Sequence, residues 1–228
     1  MATRTLPTRV LLACGAVAGP LYVTVTMIEA LTRDGFDLRH HRFSWLTTGD
    51  LGWIHQMNMV LVGVLTMLLA FGVRRVVQSG RGAVWGPRLL ALLGAAYVVG
   101  GLLRADPVVG FPPGTTAEMV QRTWHGVVQN ASRSVSTLFL LAASVVFARW
   151  FAAQGSRGWA WFYGLAIPVA FAVLTAVGLA LGFNGAGLAF LMTPGIWVTA
   201  LALHLYRHEA GRMHGVPTAS IRSTLLAR

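Results

Sequence analysis

Lysine is absent from this sequence, cysteine occurs once, and acidic residues number only seven. The lone Cys14 cannot close a disulfide within the chain, so no covalent staple holds either face of the protein. Cys14 also ends a Leu11-Leu12-Ala13-Cys14 stretch resembling a lipoprotein processing box, but only Val10 to Ala13 supply apolar residues before it, too few for a signal peptide. There is no phosphate-cradling glycine-rich motif and no dinucleotide-binding fingerprint, which removes support for nucleotide-driven chemistry. Nor is there an internal repeat of the kind that builds many transporters. Charged residues make up only 11% of the chain, against 55% hydrophobic residues, a balance that excludes an ordinary soluble domain and a disordered chain alike.

What is present is arginine. The 18 basic side chains are all arginine and give a net charge of +11. A nucleic-acid-binding protein gathers such charge on one solvated face. Here the arginines fall in short clusters between apolar runs, the distribution of a membrane protein whose cationic loops stay in the cytoplasm. The arginine, alanine and glycine usage points to a GC-rich bacterial genome.

A membrane-spanning helix needs about 20 mainly apolar residues. Six stretches qualify: 10–31, 52–73, 89–103, 124–148, 159–182 and 185–206. The third is short unless it begins near Val84 and carries Pro87 and Arg88 in its first turn, where the missing proline amide costs nothing. The expected fold is an all-α integral membrane protein, a six-transmembrane-helix bundle over residues 1–210, followed by a mobile basic cytoplasmic tail over 211–228. Arg4 and Arg9, Arg74, Arg75, Arg81 and Arg88, Arg149 and Arg157, and Arg207 and Arg212 occupy alternate connections. They place both termini inside, in a bacterial cytoplasmic membrane. Six of the seven acids, Glu29, Asp34, Asp37, Asp50, Asp106 and Glu118, lie on the opposite side. Two long polar loops there, roughly 32–51 and 104–123, mark the outer face as the place for chemistry. Phe183-Asn184, by contrast, reads as a bare turn. Trp45, Trp53 and Trp124 near the outer boundary and Trp85 and Trp159 near the inner one fit interfacial anchors.

Arg133 is the most informative residue, lying about 13 Å along its helix from Trp124. An ionised group at that depth requires a partner or a wet cavity. His125, Gln129, Ser132, Arg133 and Ser136 recur at intervals of three and four and form one polar stripe. Tyr22, Thr26 and Glu29 make a matching stripe on the first span, and His55 with Asn58 opens the second. Glu29 is the acid best placed to pair with Arg133. One reading is a hydrogen-bonded network that fixes helix packing. The other is an outward-opening pocket lined by Glu29, Asp37, Ser44, His55, Asn58, Asp106, His125, Gln129 and Arg133. Such a pocket would take an anionic or zwitterionic lipid head group or small molecule from the bilayer, since guanidinium grips phosphate or carboxylate with two parallel hydrogen bonds.

His55, His125 and Asp106 would supply three ligands for a catalytic zinc, making the protein a metal-dependent lipid hydrolase, although their spacing is not diagnostic. The i, i+4 pair His204 and His208 sits beside Arg207, where interfacial histidine is ordinary. Ser44 lacks a nucleophile-elbow context and reads better as a cap on Ser44-Trp45-Leu46. Transport of a small solute or proton-coupled substrate, with Arg133, Glu29 and His125 as a charge relay, and a non-catalytic membrane scaffold are the alternatives.

Several local patterns recur together: Gly19-Pro20, the stretch from Gly35-Phe36-Asp37 to Ser44-Trp45-Leu46, Gly52-Trp53, Asp106-Pro107, Gly110-Phe111-Pro112-Pro113-Gly114 and Trp124-His125-Gly126. In order and spacing the chain resembles the bacterial six-pass membrane proteins catalogued as domain of unknown function 998. Met57-Asn58-Met59 departs from the Asn-Phe expected after that tryptophan. The resemblance implies six helices and an outer polar cluster, and it implies no activity.

Overall fold

The computed structural model describes residues 6–214. Six long helices follow one another: α1 (Thr8–Thr32), α2 (Gly52–Val76), α3 (Gly80–Leu102), α4 (Trp124–Ala153), α5 (Arg157–Leu181) and α6 (Gly185–His214). Two short 3-10 turns, Phe43–Thr47 and Ala117–Met119, lie in the long loops. All helices but α5 are individually long and apolar enough to cross a membrane. α5 is bent by 46° between Arg157–Leu165 and Ile167–Leu181, and the two pieces taken together make a sixth candidate span. Pro168 explains the bend, because it offers no amide to the Gly164 carbonyl and its ring crowds that turn. The chain is a multi-pass helical membrane protein.

The helices run past the apolar stretches at most ends. Hydropathy marks only the lipid-embedded part, whereas backbone hydrogen bonding continues into flanks such as Arg74-Arg75 and Arg149, whose charged ends can reach water. The clearest difference is α3, which starts at Gly80 rather than between Val84 and Leu89, so Pro87 sits beyond the first turn. Residues 211–214, expected in the mobile tail, extend α6, and the rest of the tail lies outside the described residues.

Consecutive helices pack on one another, and α6 returns to α1, so the six form a closed ring. Close approach is achieved with glycine. A Cβ on Gly63 of α2 would strike the Gly94 carbonyl of α3, and one on Gly94 would strike the Gly63 carbonyl. Lipid-facing positions carry the apolar residues that a soluble protein would bury: Leu138 is 64% and Leu179 82% exposed. Trp53, Trp85 and Trp124 are exposed as well, as interfacial anchors should be.

The two ends of the ring are filled differently. At the end holding the α4–α5 connection, Phe147, Phe151, Tyr163 and Trp197 are fully buried and stack on one another. His204 belongs to this plug, its ring 4.6 Å from Trp159 and 5.0 Å from Phe151. At the other end the roof is loop one, the segment between α1 and α2. Phe36, His41, Phe43 and Trp45 cluster there with Phe111 of the α3–α4 loop. Arg33 holds loop one down by donating to the carbonyl oxygens of Leu46, at 2.8 Å, and Thr48, while its guanidinium lies 5.6 Å from the Phe111 ring centroid. The α5–α6 turn is more than a bare connection. Asn184 accepts the Gly187 amide at the start of α6 and donates to the His41 carbonyl at 3.0 Å, tying loop one to the far side of the ring.

Candidate functional site

Between the roof and the aromatic plug the ring holds a partly open cavity of about 70 Å³. Its polar wall comes from Tyr22 of α1, Ser44 of loop one, His55 of α2, Tyr97 of α3 and Gln129, Ser132, Arg133 and Ser136 of α4. Opposite stand Phe171, Phe190, Leu191, Thr193 and Pro194 from α5 and α6. The polar stripe on α4 arises from helical spacing, and the ring closes it inward rather than toward lipid.

Arg133 is half-buried, with its guanidinium 4.5 Å from the centroid of Phe190. Among the described residues no carboxylate lies within ion-pair distance of it. The expected pairing with Glu29 is therefore not formed. Glu29 is buried and gives one oxygen to His55 Nδ1 at 2.8 Å, while the other lies 3.7 Å from Arg33. The reason is connectivity. Arg33 is one helical turn after Glu29, and His55 faces α1 across the α1–α2 seam, so both reach the carboxylate without crossing the cavity.

His55 is 1% exposed, and with Nδ1 on Glu29 its Nε2 has no hydrogen-bond partner. The Thr193 hydroxyl on the opposite wall is likewise buried without one. Of the eleven buried side-chain polar atoms without a partner among the described residues, these two belong to residues lining the cavity. Tyr22 packs its ring 5.4 Å from Tyr97 and 6.2 Å from His55.

Of the nine residues expected in the pocket, Ser44, His55, Gln129 and Arg133 line it, and Glu29 stands directly behind His55. Ser44 is not a helix cap: the turn is capped by Arg42 through backbone geometry, and the Ser44 carbonyl accepts the Thr47 hydroxyl. Asn58 is buried in the α1–α2 seam, where its amide reaches the Tyr22 carbonyl and the Thr26 hydroxyl at 3.3 Å each. Asp37 lies out on loop one, bonded to His40 Nδ1 at 2.6 Å, and that bond with the Arg39 amide holds its carboxyl below the usual range. Asp106 accepts the Thr123 hydroxyl at 2.6 Å and the Thr123 amide at 3.1 Å, and so fixes the start of α4. His125 is exposed, its ring tilted 42° to that of Trp124 at 4.0 Å, and engaged with the Thr123 hydroxyl.

Of the three expected zinc ligands, Asp106 and His125 thus share the Thr123 hydroxyl, while His55 is engaged by Glu29. Among the described residues no three His, Cys, Asp or Glu side chains converge as a metal site would require. Tyr97 and Phe190 were not singled out by sequence reasoning. An aromatic residue within an apolar run is unremarkable until its neighbours are known, and only the ring brings these two onto Arg133's cavity.

A second, more open groove lies outside the first and shares Ser44 and Gln129 with it. Arg42, Arg122, Asp106 and Asn130 line this groove between the two loops and α4. It forms a polar approach to the cavity from the loop side.

The family model for proteins of unknown function DUF998 matches residues 16–204, nearly the whole membrane domain. The chain belongs to the DUF998 family. No curated protein and no solved structure matches it. The match covers α2 to α5 in full, most of α1 and α6, and every residue of the cavity wall named above, so the cavity lies within the family's domain.

Proposed function

We propose that this DUF998 protein binds an anionic amphiphile from the outer leaflet of a bacterial cytoplasmic membrane, with the head group on Arg133 and the chain along the apolar wall. The observation that carries this reading is the placement of Arg133. A half-buried guanidinium with no carboxylate partner carries a desolvation cost, and an anion entering the cavity offsets it. Phosphate or carboxylate suits it, because the planar fork of donors can be met by two oxygens while Phe190 supports one face. Arg42 and Arg122 on the approach groove favour the same sign of charge. Met59, Leu93, Leu140 and Phe171 provide the surface for an alkyl chain.

The arginine-rich connections at the plugged end favour an orientation with both termini inside and the cavity outside. The plug also separates the cavity from that end, which favours binding over passage of a solute through the ring.

The test uses dodecyl phosphate as probe and purified protein in a neutral maltoside detergent. Dodecyl phosphate should raise the melting temperature of wild type in a concentration-dependent way, as ligand linkage requires. Arg133→Gln should weaken this by about tenfold or more in affinity, the scale of a lost charge-assisted hydrogen bond, while melting normally without ligand. Inorganic phosphate alone distinguishes a free anion from a lipid head group: equal stabilisation would mean that the chain adds nothing. Equal binding of dodecyl phosphate by Arg133→Gln would overturn the proposal. Flux of phosphate or carboxylate solutes in proteoliposomes would favour transport instead.

A further inference from the structure

We propose that the Glu29–His55 pair makes the cavity a hydrolytic site, in which His55 Nε2 activates water against a carboxylic ester of the bound anionic amphiphile. This rests on the binding reading above and adds a reaction to it. Glu29 does not line the cavity; it lies behind His55 and accepts Nδ1–H at 2.8 Å. That contact places the lone pair of the neutral imidazole on Nε2, the nitrogen left without a partner in a residue that does line the cavity. A buried carboxylate fixing one ring nitrogen of a cavity-lining histidine and leaving the other unpartnered is the arrangement a general base needs once water reaches it.

The reaction balances with water alone. Nε2 takes a proton from water as the water oxygen bonds to the ester carbonyl carbon, and the carbonyl π electrons move to its oxygen. The phenol groups of Tyr22 and Tyr97 on the same wall are donors suited to that oxyanion. As the tetrahedral intermediate collapses, the bond to the alkoxide oxygen breaks, and the imidazolium returns its proton to that oxygen. The products are a carboxylic acid and an alcohol. Arg133 keeps the phosphate or carboxylate head group, which leaves the neighbouring ester as the bond presented to His55. Glu29 is a positioning residue: it orients the ring and balances the imidazolium charge as it forms.

The experiment uses 1-palmitoyl lysophosphatidate in maltoside micelles prepared in oxygen-18 water, with the ether-linked analogue as a binding probe that cannot be hydrolysed. Wild type should release palmitate carrying one oxygen-18 atom. His55→Asn should lower kcat by about 10²- to 10⁴-fold, the usual contribution of a general base, while binding the ether analogue within about tenfold of wild type. His55→Gln, whose amide can also reach Glu29, serves as a second variant if the first does not insert. Glu29→Gln should lower kcat with little change in KM, a split that a purely structural role would not produce. Wild type that binds the ether analogue but releases no palmitate above the Arg133→Gln background would overturn the hydrolytic inference and leave the binding site standing. Failure to bind the ether analogue at all would overturn both.

Discussion

His55 Nδ1 lies 2.8 Å from Glu29 Oε2, and both side chains are almost wholly removed from solvent. Removing one member of such a pair leaves the other buried and unpaired, at a cost of about 1–3 kcal/mol. Glu29→Ala should therefore lower stability by that order, and Glu29→Met combined with His55→Leu should recover most of it by exchanging the pair for packing. Urea or thermal melts of the purified proteins would measure this. A Glu29→Ala protein as stable as wild type would show that the pair contributes nothing to folding.

Arg33 joins the end of α1 to the Leu46 and Thr48 carbonyls of loop one. Hydrogen bonds from a charged donor contribute about 1.5–3 kcal/mol each. Arg33→Met should consequently open loop one and raise the rate of trypsin cleavage after Arg39 and Arg42 by about tenfold or more, because cleavage follows the open population. Unchanged cleavage would mean that the aromatic cluster with Phe111 holds the loop without it.

Gly94 and Gly63 meet backbone to backbone where α3 crosses α2. Gly94→Ala should cost about 1–3 kcal/mol through overpacking, since the obstruction is a carbonyl group rather than a flexible side chain. Gly158→Ala is the matched control, because a Cβ there meets nothing within 4 Å. It should be neutral or raise stability by about 0.5–1 kcal/mol, the usual gain for alanine over glycine in a helix. Equal effects at the two positions would refute close packing at the α2–α3 crossing.

Loop one should loosen in mild acid. Burial against Phe36, Trp45 and Phe111 pushes the His41 imidazole below its ordinary pKa, reinforced by His40 and opposed by Asp37. His41 Nδ1 accepts the Asp37 amide at 3.1 Å, which the protonated ring cannot do. The folded pKa lies below the unfolded value of about 6.5, so the open loop binds the proton more readily. The stabilisation is complete above about pH 6.5 and declines as pH falls through the lowered folded value. Hydrogen exchange at the Asp37 amide, corrected for its intrinsic rate, should accelerate over that window. In His41→Phe the dependence should vanish; its persistence would assign the effect to another group.

Orientation is open to direct labelling. In a Cys14→Ser background, Ser79→Cys should react with an impermeant maleimide only from the inside and Thr116→Cys only from the outside. Both positions are exposed in the connections at opposite ends of the ring. The reverse pattern would invert the assignment and move the cavity to the inner face.

How much was legible in advance differs by element. All six helices could be read from apolar length alone, because a bilayer requires each span to satisfy its own backbone hydrogen bonds. The α4 stripe from Gln129 to Ser136 was legible for a similar reason: helical spacing is local, and an arginine amid apolar residues must turn toward something other than lipid. Family membership also followed from local order, Gly19-Pro20 through Trp124-His125-Gly126. Partnerships did not. Glu29 was assigned to Arg133 on depth, yet His55 and Arg33 hold it, and of the three expected zinc ligands Asp106 and His125 share Thr123 while His55 bonds Glu29. Sequence fixes a residue's helix, approximate depth and neighbours one turn away. Only closure of the ring, with α6 returning to α1, decides which side chains meet across it, since those contacts join residues far apart in the chain. Phe190 beneath Arg133 and the free Nε2 of His55 are contacts of that kind.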